Sequence, residues 1–269
     1  MDMTLINSRG LVMLGCGKMG SAMLQGWLAE GLSAEAVHII DPNPSEWLQG
    51  TGVSINGDLP ESPAVLMIAV KPQMMQDALP QVARFGGGET LILSVAAGTT
   101  IQVYEQAFGA GTRVVRSMPN TPAAVGKGIT AIVGNSETTP DDLDMAEGML
   151  LAIGQVVRLT NENQIDAVTG ISGSGPAYIF YMIDTLAAAA RAEGLPAEMA
   201  MQLAKATVAG AGALAEQAVE TPEQLRINVT SPNGTTQAGL EVLMGEGGLA
   251  PLMRKTVAAA THRSRELRK

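Results

Sequence analysis

The hydrophobic period of this chain changes once, near residue 160, and that change limits what it can fold into. From residue 10 onward, short β-rich apolar runs alternate with helical stretches. The runs are 11–14, 37–40, 53–55, 65–70, 90–95, 113–116, 129–133 and 155–159. Residues 19–30, 73–84 and 141–152 read as helices between them, with Gly31, Gly86 and Gly154 as stops. Near-continuous apolar strands alternating with helices predict a mostly parallel sheet covered on both faces, with the last two runs as a mixed-direction edge. After Asn161 the strand runs cease. Residues 165–193, 196–217, 222–228, 235–246 and 249–267 all read as helices, parted by Gly-Leu-Pro, Thr-Pro and Gly-Gly breaks. The expected organisation is an α/β domain over 1–162 and an all-helical domain over 163–269. The helical part is rich in Ala and Gly, in a chain with only 3% aromatic residues. About a hundred such residues make a thin core alone, so the helical domain is expected to hold a homodimer together.

Composition removes several classes of function. With 46% apolar and 16% charged residues, the chain is a globular protein. A formal charge of -9 argues against nucleic-acid or anionic-membrane partners, which need a basic face. It leaves room for a small anionic ligand, because local dipoles override net charge. The single Cys16 excludes an intramolecular disulfide and any metal site built on several thiolates. No basic lead into an apolar run opens the sequence, and the most apolar stretch, 177–190, is interrupted by Asp184. The expected location is cytoplasmic.

The first strand runs into GCGKMG at 15–20, followed at once by an amphipathic helix. In G-x-G-x-x-G, Gly15 permits the tight turn, Gly17 lets a pyrophosphate approach the backbone, and Gly20 lets helix and strand pack closely. The helix start then offers free N–H groups and a positive dipole to phosphate. Three spaced glycines alone are weak evidence. Here a strand before, a helix after and Asp41 at the end of the second strand agree on a dinucleotide site. Asp41 can hold the ribose hydroxyls of NAD and repel a 2′-phosphate, although Asp before Pro is also a common turn starter. Cofactor preference therefore stays open between NADPH and NADH. Ligands of such sheets lie beyond the carboxyl ends of the strands, so 69–72 (AVKP) and 94–98 (SVAAG) should border the cofactor, with 118–122 (MPNTP) as a further wall.

Acid–base residues are scarce. His38 enters the second strand and His262 lies among arginines of the last helix, so both read as structural or surface groups. Lys71 stands at a strand end, but the adjacent Pro72 makes its backbone turn matter at least as much. GISGSG at 170–175 lacks the spacing of a serine nucleophile, and Ser174-Gly-Pro reads as a capped helix start. Hydride addition to a C=N bond avoids the need for an acid, since a protonated imine is already electrophilic. Positioning by hydroxyls and backbone N–H groups then suffices. The stretch VTSPNGTTQ, 229–237, is crowded with such groups and suits a carboxylate at a helix start.

GCGKMG (15–20), AVKPQ (69–73), SVAAG (94–98), RSMPNTPA (116–123), GISGSGPAY (170–178) and VTSPNGTT (229–236) occur in one order along nearly the whole chain. In this the sequence resembles the pyrroline-5-carboxylate reductase family. The resemblance implies a Rossmann domain plus a helical domain that interlocks two subunits, commonly gathered into a ring of dimers. It implies reduction of a cyclic imino acid, 1-pyrroline-5-carboxylate, to proline by NADPH or NADH. By motif, Gly15, Gly17, Lys18, Met19 and Gly20 would hold the pyrophosphate, and Asn43 and Asn56 would meet the adenosine ribose or its phosphate. Ala69, Val70, Lys71, Pro72 and Ala97 would border the nicotinamide half, with Asn228 beside it. Ser231, Gly234, Thr235 and Thr236 would bind the substrate carboxylate, and the Thr236 hydroxyl would partner the ring nitrogen. Asn233 departs from the family's Gly-Gly, but Asn tolerates positive φ. A β-hydroxyacid dehydrogenase would place a catalytic Lys after the Gly-rich helix start, where this chain has none. A non-catalytic dinucleotide sensor would not need the SPNGTT loop.

Overall fold

The computed structural model describes residues 3–268. They form two compact units: the chain to Gly173 together with its last stretch from Ala260, and Ser174–Ala259. The first unit contains α1 (Thr4–Arg9), β1 (Leu11–Leu14), α2 (Lys18–Ala29), β2 (Val37–Ile40), α3 (Glu46–Gln49), β3 (Ser54–Ile55) and β4 (Val65–Ile68). It continues through α4 (Met75–Ala78), β5 (Leu91–Ser94), α5 (Ile101–Phe108), β6 (Val114–Met118), β7 (Gly128–Gly134), α6 (Pro140–Leu151), β8 (Gly154–Arg158) and α7 (Gln164–Val168).

The eight strands form one sheet in the order β3-β2-β1-β4-β5-β6-β7-β8. Strands β1 to β6 pair in parallel, β7 runs antiparallel to β6, and β8 is parallel to β7. The parallel sheet with a mixed-direction edge is the arrangement expected from the sequence. Side-chain alternation splits the strands between two helical layers. Leu11, Met13, Val65, Met67 and Leu93 pack with Met23, Leu24 and Trp27 of α2 and Met149 and Leu150 of α6. Val12, Leu14, Leu66, Ile68 and Ile92 pack with Met75, Leu79, Phe85, Tyr104 and Phe108. Strands covered on both faces need apolar residues at every position, which is why these runs do not alternate. Each large side chain so buried contributes about 1.5–3 kcal/mol.

The helix read at 73–84 is broken into 3₁₀ turns at Pro72–Met74, Leu79–Gln81 and Ala83–Phe85 around the short α4. Pro80 supplies no N–H and its ring crowds the preceding turn, so a continuous helix cannot pass it. The division at 162/163 also differs from the observed units. Helix α7 and the π-helical turn Thr169–Gly173 belong with the sheet, because Ile165 is buried in its second apolar layer and Asn120 Nδ2 donates to the Ser172 carbonyl (3.2 Å). Ser174 is not a side-chain cap: its backbone is already helical as the chain leaves the π turn, and its hydroxyl makes no capping bond.

The second unit holds α8 (Gly175–Ala192), α9 (Ala197–Gln217), α10 (Pro222–Asn228) and α11 (Thr235–Met244). Helix α12 (Leu249–Leu267) begins there and ends in the first unit, where Ser264 Oγ donates to the buried Asp166 (2.8 Å) and Arg268 pairs with the same carboxylate. Helices α8 and α9 pack on each other. Among the described residues of the second unit, the buried apolar side chains are Ala187, Ala200 and Ala204, whereas Phe180 and Tyr181 are 60% and 71% exposed. Three alanines cannot offset the ordering of so many helical residues, so this unit requires a partner surface. No described helix is long and apolar enough to cross a membrane.

Trp27 joins the two helices of one layer, since its buried indole N–H donates to the Met149 carbonyl (2.7 Å). Trp27→Phe is therefore expected to lower stability by about 2–3 kcal/mol, through a cavity and an unpaired carbonyl. Trp47→Phe, at a half-exposed position, should stay within about 0.5 kcal/mol. Urea unfolding of the two variants checks this, and equal midpoints would contradict it.

Candidate active site

Strand β1 lies between β2 and β4, where the strand order reverses and a crevice opens at the carboxyl edge. The turn after it fits that crevice closely. Gly15 has φ +86°, its N–H donates to the Ile40 carbonyl (2.8 Å), and a Cβ there would lie 2.8 Å from Val70 Cγ1 and 3.0 Å from the Ala69 carbonyl oxygen. The turn thus rests directly on Ala69 and Val70. Gly17 caps α2 in extended conformation, with no side-chain cap and no acid in the first turn. A Cβ on Gly17 would meet nothing within 4 Å. The first-turn amides of Lys18, Met19 and Gly20 and the positive helix end therefore face open space, as a pyrophosphate requires. Cys16 is buried within the turn, and burial pushes its thiol above the ordinary range, so it remains an unreactive filler.

Asp41 braces the turn from β2. Its carboxylate accepts from Cys16 N–H and from Asn43 N–H, each at 2.8 Å. Asn56, held at φ +52°, pairs its side-chain amide with the backbone N–H and carbonyl of Asp41 (3.0 and 2.8 Å). The carboxylate and the Asn56 amide are both occupied in part by the protein itself, while the Asn43 side chain is exposed. A cavity of about 280 Å³ opens beside them, lined by Leu14, Ile40, Pro42, Asn56, Val70 and Met74 among others. Such an apolar slot with a few polar groups suits a planar base. Lys71 is exposed and starts the 3₁₀ turn at Pro72.

The loop after β5 presents exposed Ala97. Beneath it lies a buried polar network that the motifs did not disclose. Ser94 Oγ and the Tyr104 hydroxyl are 2.5 Å apart, Ser94 Oγ accepts from Ala96 N–H (3.2 Å), and Ser117 Oγ donates to the Ser94 carbonyl (2.7 Å). Burial pushes the Tyr104 phenol above its ordinary value, so it stays neutral and can both donate and accept. Buried Arg116 donates to Glu162 (2.6 Å), which also accepts from Ile101 N–H (2.8 Å) at the start of α5. An Arg inside an apolar strand run was the one sequence signal that such a partner existed. Asn120, in the 118–122 wall, spends its side chain on Ile129 N–H (3.0 Å) and the Ser172 carbonyl (3.2 Å).

The other predicted cluster lies wholly in the helical unit. Gly234 N–H donates to the Ser231 carbonyl (3.0 Å), and Asn233 has φ +58°. With Pro232 fixed at negative φ, this is a type II turn, and Asn233 occupies the position where positive φ is required. Gln237 Oε1 holds Asn233 N–H (2.7 Å). The turn delivers Thr235 and Thr236 to the start of α11, whose N-cap Gly234 leaves the helix without a side-chain cap. Ser231, Thr235 and Thr236 are exposed there, with uncapped amides and hydroxyls and no titratable side chain in the turn. Asn228 ends α10, its Oδ1 accepting from Gln224 (2.8 Å).

Comparison with known proteins identifies the family of the chain. Residues 162–267 match the family model described as pyrroline-5-carboxylate reductase dimerisation, and 11–98 match that of NADP oxidoreductase, coenzyme F420-dependent. The pyrroline-5-carboxylate reductase of a Synechocystis strain is 40% identical over 266 residues, covering 96% of this chain and 98% of that protein. The Pseudomonas aeruginosa enzyme of the same name is 34% identical, with 96% of each chain covered. The solved structure of a pyrroline-5-carboxylate reductase from Coxiella burnetii superposes with a TM-score of 0.91 at 32% identity, covering 97% and 99% of the two chains. A Plasmodium falciparum pyrroline carboxylate reductase with NADP bound gives a TM-score of 0.82 at 25% identity, covering 98% and 99%.

Gly17 separates binding from stability. Its backbone is extended and its Cβ direction is empty, so Gly17→Ala should change unfolding free energy by less than about 1 kcal/mol. The added methyl would enter the space above the helix start and weaken dinucleotide binding by about tenfold or more. Coenzyme titration beside a urea melt reads both, and unchanged affinity would remove the pyrophosphate from this turn.

Proposed function

The chain belongs to the pyrroline-5-carboxylate reductase family, and we propose that it reduces 1-pyrroline-5-carboxylate to proline with NADPH or NADH. The observation that carries this reading is the 231–236 turn, where uncapped amides and hydroxyls converge at the start of α11 without an acid or base. The Ser231, Gly234, Thr235 and Thr236 groups bind the substrate carboxylate through backbone N–H donors and the positive helix end. The Thr236 hydroxyl accepts from the N–H of the protonated ring nitrogen and orients the C=N carbon. Bound in the crevice, the reduced dinucleotide supplies the hydride. The glycine turn with Lys18 and Met19 holds its pyrophosphate. Asp41, Asn43 and Asn56 meet the adenosine ribose, and Ala69, Val70, Lys71, Pro72 and Ala97 border its nicotinamide half. The substrate arrives protonated, so the neutral amine left by hydride addition takes its second proton from water and no relay is needed. Catalysis then rests on proximity and fixed dipoles.

The exposed apolar faces of the helical unit support a homodimer, which we assign further to a ring of dimers on the family pattern. For the coenzyme, Asp41 disfavours a 2′-phosphate while Asn43 offers it a hydrogen bond, so both forms are expected to serve.

The purified protein should oxidise NAD(P)H when a cyclic imino acid is supplied and not with hydroxyacids or their keto forms. Turnover of the latter alone would overturn the assignment. Thr236→Val keeps the shape and removes the hydroxyl. It should lower kcat/KM about ten- to a hundredfold, corresponding to about 1.5–3 kcal/mol, and leave coenzyme affinity unchanged. Wild-type kcat/KM in this variant would exclude the hydroxyl from the mechanism.

A further inference from the structure

The 95–98 loop between β5 and α5 has no regular structure, yet the coenzyme assignment places its exposed Ala97 beside the nicotinamide half. Its shape is set from below. Ser94 at one end and Thr99 at the other are both buried, and a single phenol binds both of them. The Tyr104 hydroxyl lies 2.5 Å from Ser94 Oγ and hydrogen-bonds the Thr99 side chain as well. Ser94 Oγ also takes Ala96 N–H (3.2 Å), so the bond from Tyr104 continues into the loop backbone. The far end is held again where Glu162 accepts from Ile101 N–H (2.8 Å). For packing alone, a phenyl ring would fill the same place in the apolar layer. What the hydroxyl adds is a fixed distance between the two ends of the loop.

We propose that Tyr104 is a positioning residue for the coenzyme, its hydroxyl stapling Ser94 to Thr99 so that the 95–98 backbone is already in its binding shape. Preorganisation of this kind shows in affinity, because a loop that is loose in the free protein must be ordered on binding. The inference rests on the coenzyme reading above and adds a residue that does not touch the coenzyme. Arg116 and Glu162 hold the start of α5, and Tyr104 sets the loop span.

The test is direct titration of NADPH by its fluorescence, on the full chain without substrate, for Tyr104→Phe, Thr99→Val and the double variant. Each single variant should raise Kd about three- to tenfold, the range that one lost hydrogen bond commands. The double variant should be no weaker than Tyr104→Phe, because both remove the same link. At saturating coenzyme, the KM for the imino acid should stay within about twofold of wild type. Ile153→Val, a buried change in the opposite apolar layer, serves as the control that loses stability without shifting Kd. Unchanged Kd in both single variants, or an equal rise in the Ile153 control, would reduce Tyr104 to a core residue. Should Tyr104→Phe fail to fold, Thr99→Val decides alone. A wild type that binds NADPH yet reduces no imino acid would sink the proposed function while leaving this comparison valid.

Discussion

The contact of the 15–20 turn with the end of β4 is the constraint on which the rest of the first unit depends. Gly15 can approach Ala69 and Val70 only because it has no side chain, and that approach brings the start of α2 over the carboxyl edge of the sheet. Asp41 then locks the turn from the other side through Cys16 N–H. An ionised carboxylate that accepts two backbone amides is a strong brace. The same acid that would contact a ribose therefore also shapes the phosphate cradle. On the proposed reading, coenzyme selectivity and loop geometry are coupled through one residue.

A different economy governs the second unit. Its helices meet through Ala187, Ala200 and Ala204, leaving Phe180, Tyr181, Leu203 and Leu214 outward. Small residues allow close backbone approach but bury little apolar area per residue. The outward apolar faces then serve association, in keeping with the dimerisation family matched over 162–267. The groups proposed to hold the substrate come from a turn and a helix start rather than from side chains that titrate. Chemistry on a protonated imine permits this, since the electrophile brings its own charge.

Buried polar groups organise the rest. Arg116 with Glu162, Asp142 with Arg113 and Asp166 with Arg268 each pin an element end, and each carboxylate also receives another hydrogen bond. Such pairs cost desolvation and return specificity of arrangement when every lone pair is used. In this chain they hold the starts of α5 and α6 and tie the end of α12 to α7.

Local features determined much of this. The apolar runs predicted β1 and β2 to the residue, β1 because a strand buried on both faces admits nothing else and β2 from its β-branched residues around the half-buried His38. The glycine spacing predicted the tight turn between β1 and α2, and Asn233 was read as tolerating the positive φ that it adopts. Each depends on covalent geometry or on short-range periodicity. Tertiary structure alone decided the partners of the polar residues. Nothing near Tyr104 in the sequence points to Ser94 and Thr99, and Glu162 finds Arg116 across 46 residues. The break at Pro80 was missed although a Pro inside a helical run signals one, and the end of the sheet unit at Gly173 left no local signal. It was set by the burial of Ile165 and by Asn120 reaching the Ser172 carbonyl. Hydrophobic period specifies which face an element buries. Only the folded chain specifies which distant group meets each buried donor, because that pairing depends on the packing of elements far apart in sequence.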